Sequence, residues 1–188
     1  GEDFDFTPMY EYVADDIKNA DIACINQETI LGGTDIGLSS YPLFNSPKEV
    51  GRDMKKLGFD VFSHATNHVF DKGERGLAGT YAFYEQNPDL TCIGLYRQGE
   101  DTVKIVEKNG IKIAFVNYTY LTNGFSLPKN SEYYVGVVKP EDGYDEMTET
   151  VRRAKTMADF VVCCLHWGQE GAREPDSVQK ESAKILAD

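Results

Sequence analysis

Three short apolar runs limit what this chain can become: residues 21–25 (DIACI), 59–63 (FDVFS) and 159–165 (DFVVCCL). Each is too short for a core helix and is nearly continuous rather than alternating, the pattern of strands buried on both faces. Helix signals separate them. Residues 7–20 read as a helix with Thr7 as N-cap and Pro8 at its first position. Ser46-Pro47 opens a second helix that Gly58 ends, and residues 76–86, 141–158 and 177–188 read as three more. Strands alternating with helices predict an α/β layered fold built on a mainly parallel sheet with helices over both faces.

Residues 101–117 follow another rule. Two β-rich runs, TVKIVEK and IKIAFVN, flank Asn109-Gly110, a strong hairpin signal. Their mix of β-branched residues with Lys and Glu predicts a half-exposed β-hairpin carrying no catalytic residue. Residues 31–44 read as a loop and 133–138 as an edge strand. No repeat or linker divides the sequence, which predicts one domain over residues 1–188.

Ligands of such sheets bind beyond the carboxyl ends of the strands, and all three apolar runs end in polar residues. Asn26-Gln27-Glu28 follows the first. With strand alternation Asn26 and Glu28 share a side, offering an amide oxygen and a carboxylate, both hard ligands for a divalent metal. The plainer alternative is that they serve turn backbone. His64 to His68 and Asp71 follow the second. His64 and His68 have i,i+4 spacing, but no glutamate lies between them and His64 closes a strand, so a zinc-protease helix is excluded. His64 reads as a packed histidine. Asn67 can ligate a metal, while His68 beside the Asp71 carboxylate can move protons. The third run ends in His166-Trp167-Gly168-Gln169-Glu170, with His166 at a ligand position and Trp167 as a pocket wall.

A net charge of −12 repels phosphate backbones and anionic lipid, which argues against nucleic acid and membrane-surface partners. An anionic substrate would need local positive charge, and a bound metal is the obvious source. No apolar run approaches the roughly 20 residues of a membrane span. Cys24, Cys92, Cys163 and Cys164 show no metal or disulfide spacing and read as small buried hydrophobes.

With these residues in view, the chain resembles the bacterial capsule-synthesis, or poly-γ-glutamate-biosynthesis (CapA-type), family. The likeness rests on FDFTPMYEYVADDIKNADIACINQETILGG, on GFDVFSHATNHVFDKGERGL beside that family's NNHxxDxG segment, and on CLHWGQE beside its HWGxE segment. The resemblance implies a calcineurin-like metallophosphoesterase sandwich with two divalent ions (manganese, zinc, iron or magnesium). It implies Asn26 or Glu28, Asn67 and His166 as metal ligands, and His68 as proton donor oriented by Asp71. Glu170 would support the ligands from behind. Thr66 stands where the family often has a second Asn.

The resemblance also implies missing parts. The family's Gly-Asp ligand pair would precede residue 1 and its Gly-His-x-His segment would follow residue 188. The site within these residues is therefore expected to be half-built and the fragment inactive. The implied function is a metal-dependent hydrolase-like domain in capsule or poly-γ-glutamate metabolism, acting on an anionic polymer or a phosphoester. The implied location is outside the cytoplasm, with any membrane anchor lying outside these residues. The competing expectation is a non-catalytic assembly subunit, or one that binds an anionic ligand.

Overall fold

A computed structural model describes residues 4–187. The apolar runs form β1 (Cys24–Asn26), β2 (Val61–Ser63) and β8 (Phe160–His166). The helices are α1 (Ala14–Asn19), α2 (Lys48–Leu57), α3 (Gly73–Glu85), α4 (Asp145–Lys155) and α5 (Ser177–Ala187). The expected first helix is broken into a 3-10 turn over Thr7–Tyr10 and the short α1. The last residue expected in the fifth helix, 188, lies outside the described residues. The hairpin turns at Asn109-Gly110 as expected, joining β5 (Lys104–Lys108) to β6 (Ile111–Thr119). Both turn residues have positive φ, 55° and 79°, the conformation that makes Asn-Gly a hairpin turn.

The strands divide between two main sheets. In one, β1, β2 and β3 (Thr91–Ile93) run parallel in that order. In the other, β6 lies between antiparallel β5 and parallel β8. A small ribbon pairs β4 (Tyr96–Arg97) with β7 (Tyr133–Tyr134), so the expected edge strand at 133–138 is shorter than its apolar run. β3 carried too little apolar length to be read from sequence.

Alternation along the strands builds the layers. Val61, Ile93 and Phe115 meet between the sheets, with Ile22, Ile113 and Cys164 around them. On the outer side of the first sheet, Phe62 packs against Met54 and Leu57 of α2 and Phe83 and Tyr84 of α3. Ala114, Val116 and Tyr118 of β6 face Met147, Val151 and Ala154 of α4. The result is helix, sheet, sheet, helix. Burying each large apolar side chain contributes about 1.5–3 kcal/mol. The cysteines correct the sequence reading: Cys24 is exposed and the other three are half-buried, because β1, β3 and β8, which carry them, are all outer strands of their described sheets.

A polar crosslink joins the two sheets. The buried Asn117 of β6 accepts a hydrogen bond from the Ala65 N–H, 2.7 Å, just past β2. Its amide donates to the Cys164 carbonyl of β8, 2.9 Å. Gly94 makes room: a Cβ there would lie 2.0 Å from Asn117 Oδ1 and 2.4 Å from the Ala65 nitrogen. Asn117→Leu keeps the volume but strands a buried N–H. Urea unfolding should show a loss of roughly 2–4 kcal/mol; a loss below about 0.5 kcal/mol would mean the crosslink is dispensable.

Candidate functional site

The carboxyl ends of β1, β2 and β8 open on one cleft of about 690 Å³, lined by Glu28, Asn67, His68, His166, Trp167 and Glu170, with Tyr41, Phe44 and Asn123. Parallel pairing sets this up. Asn26 is level with Ser63, and the ladder runs past both strands through Gln27 N–H to Ser63 C=O and His64 N–H to Ile93 C=O. Thr66, fully buried, then ties two strand ends together. Its hydroxyl donates to the Glu28 carbonyl, 2.9 Å, and accepts from the His68 N–H, 3.2 Å.

Three donor atoms converge in the cleft. His166 Nε2 lies 2.9 Å from Asn67 Oδ1 and 3.9 Å from Glu28 Oε1. Burial lowers the His166 pKa and the His68 neighbour lowers it further, while the Glu28 carboxylate pulls it up; the net shift is downward. The ring is therefore neutral near pH 7, the form that can ligate a cation without first losing a proton. Asn26 does not line the cleft. It is exposed, with its Oδ1 3.4 Å from the Ser63 hydroxyl.

Beside the three donors sits a His–Asp pair. His68 Nδ1 is 2.8 Å from Asp71 Oδ2, and Asp71 is buried. The same Oδ2 accepts the Phe44 N–H, 2.7 Å, and the Phe44 ring meets the His68 ring edge-on at 4.7 Å. Phe44 is a site residue that sequence reading missed, since it lay in a loop with no chemical motif. Trp167 packs edge-on against Tyr120, 5.6 Å between centroids, forming one wall. Glu170 is exposed on the rim.

His166, Asn67 and Glu28 are donors of suitable type for one divalent ion. Among the described residues no group of three or more His, Cys, Asp or Glu could hold a metal, so the set is one histidine, one carboxylate and one amide.

His64 is not part of the cleft. It is fully buried, with Nε2 2.6 Å from the Tyr84 hydroxyl, as the sequence reading of a packed histidine expected. Burial pushes its pKa down to about 3 from 6.5. A histidine held neutral contributes stability that is complete above about 6.5 and is lost as pH falls towards about 3, on the order of a few kcal/mol in all. The stability difference between the natural protein and His64→Gln should therefore shrink between pH 7 and pH 4 in denaturant titrations. A difference independent of pH would refute a neutral buried His64.

Comparison with known proteins gives a consistent family. The model of a family described as Bacterial capsule synthesis protein PGA_cap matches residues 1–188. A PGA biosynthesis protein CapA from Bacillus subtilis (strain 168) is 31% identical over 144 residues, which is 75% of this chain and 37% of that protein. A capsule biosynthesis protein CapA from Bacillus anthracis is 25% identical over 146 residues, 77% of this chain and 35% of that protein. The chain thus spans little more than a third of the curated relatives it matches. A solved structure, a putative 5'-nucleotidase from Staphylococcus aureus, aligns over 71% of this chain and 27% of its own with TM-score 0.42 and 16% identity. That likeness is too loose to support a reading of the site.

Proposed function

The chain belongs to the bacterial capsule synthesis protein family, and from that premise we propose that it carries the strand-end face of a metal-dependent hydrolase acting in capsule or poly-γ-glutamate metabolism. One observation supports this most: donors from three strand ends lie together beside a His–Asp pair in a single cleft.

In this reading Glu28, Asn67 and His166 hold a divalent ion. Bound there, the ion would act as a Lewis acid on a substrate oxygen and lower the pKa of a coordinated water. His68 handles the other proton. Asp71 engages Nδ1, which fixes the ring and leaves Nε2 for the cleft, where it can protonate a leaving group. Phe44 prevents the ring from turning by packing on it while its N–H holds Asp71. The Trp167 wall on the other side limits water around the reacting bond. The substrate is an anionic polymer or a phosphoester, and the ion supplies the positive charge it requires. The family setting favours action outside the cytoplasm. No described helix is long and apolar enough to cross a membrane.

A second reading has one observation behind it. The absence, among the described residues, of a three-member His/Cys/Asp/Glu group suits a non-catalytic capsule subunit that keeps the cleft for ligand binding.

The natural protein assayed with manganese on poly-γ-glutamate and on bis-p-nitrophenyl phosphate separates the two. Turnover of either substrate should require the metal, vanish with EDTA, and fall about 10²–10⁴-fold in His68→Ala. Polymer binding without metal-dependent turnover would overturn the hydrolase and favour the subunit.

A further inference from the structure

The spacing of the cysteines along the chain announces no pairing, but the two sheets bring one pair together. In the parallel ladder of the first sheet Cys24 is level with Val61, and level residues on neighbouring strands point to the same side. Val61 points between the sheets, as does Ile22, two residues before Cys24. Cys24 therefore points into the same layer. Cys164 enters that layer from the other sheet, packed against Val61, Ile93 and Phe115. β3 lies over β5 and β6, which leaves β1, at the opposite edge of its sheet, over β8. There the two thiols meet, joined by a hydrogen bond from one sulfur to the other.

The other cysteines are turned away. Cys163 and Cys164 are neighbours in one strand, so their side chains leave opposite faces, and Cys163 packs on the far side with the α4 cluster. Cys92 is level with the outward-facing Phe62, and its thiol donates to the Leu95 carbonyl, 3.7 Å. The sheets also come unusually close at this level. Asn117, level with Cys164, reaches the Ala65 N–H with its own short side chain, 2.7 Å, whereas stacked sheets normally stand about 10 Å apart. Cys24 is exposed, so a small reagent can reach the pair from solvent.

We propose that Cys24 and Cys164 are a redox site, where a reversible disulfide crosslinks the two sheets along one edge. The oxidant is a small organic disulfide. Cys24 loses its proton and attacks one of its sulfurs, forming a mixed disulfide and releasing one thiol. Cys164 then attacks the Cys24 sulfur, forming the internal disulfide and releasing the second thiol. Two protein thiols are oxidised, one external disulfide is reduced, and the two cysteine protons end on the thiols released. Both cysteines lie on outer strands, which can yield the small distance between sulfur contact and a bond of about 2 Å. The pairing does not depend on the functional reading above, but its effect reaches the cleft. Cys164 precedes His166 by two residues and Cys24 precedes Glu28 by four, so the crosslink ties together the strands whose ends carry those side chains.

Treatment with oxidised glutathione, followed by alkylation of free thiols and tryptic peptide mapping, tests the pair. The natural protein should yield one crosslink, between the peptides holding Cys24 and Cys164, and dithiothreitol should remove it. Cys163→Ser should keep the crosslink, while Cys24→Ser and Cys164→Ser should each lose it. The oxidised natural protein should melt about 5–15 °C above the reduced form, because the bond closes a loop over most of the chain. Cys24→Ser changes an exposed side chain and leaves the core intact, so it should fold and show no such shift on oxidation. Glutathione adducts on single cysteines without an internal crosslink would overturn the proposal. So would a crosslink that persists in Cys164→Ser, or covalent dimers joined through Cys24.

Discussion

One buried amide, Asn117, holds the two sheets in register beneath the cleft. The apolar layer of Val61, Ile93 and Phe115 draws the sheets together, but burial of apolar area has no direction and would tolerate sliding. Hydrogen bonds from one side chain to Ala65 and to Cys164 do not. Ala65 lies two residues before Asn67, and Cys164 lies two residues before His166. The crosslink therefore sets the separation of the two donors that meet at 2.9 Å. Gly94 is required for the same reason, since any side chain would occupy the space of the crosslink.

Much of this was legible in the sequence, and the parts that were not have physical causes. DIACI, FDVFS and DFVVCCL announced strands by their apolar runs, although only β2 is buried throughout while β1 and β8 are partly exposed, and Asn109-Gly110 announced its turn by conformational preference. The division into two sheets was hidden, because an inward-facing residue such as Phe115 looks the same whether it meets a helix or a second sheet. β3, no shorter than β1 and β2, was hidden because its apolar run is only Cys92-Ile93 before Gly94. At the site, Glu28, Asn67, His68, Asp71 and His166 were visible as reactive types at strand ends. Phe44 was not, because it acts through a backbone N–H that no side-chain motif announces.

The lining of the cleft suits the electrostatic argument from composition. Among the described lining residues there is no Lys or Arg, while Glu28 and Glu170 add negative charge to a chain of net charge −12. An anion entering such a site meets repulsion unless a cation is already there. The aromatic wall of Tyr41, Phe44 and Trp167 can exclude water but cannot supply that charge. A neutral His166 beside Glu28 and Asn67 leaves the site with a net negative donor set, the condition under which a divalent cation binds and an anionic substrate can follow.

The central claim is that strand ends from both sheets form one cation site. Manganese soaked into crystals of the natural protein, with anomalous difference maps collected at its absorption edge, tests that claim directly. The account predicts a peak within coordination distance of both His166 Nε2 and Asn67 Oδ1, with Glu28 turned towards it. A fully occupied manganese peak elsewhere, with His166 and Asn67 still bonded to each other, would contradict it.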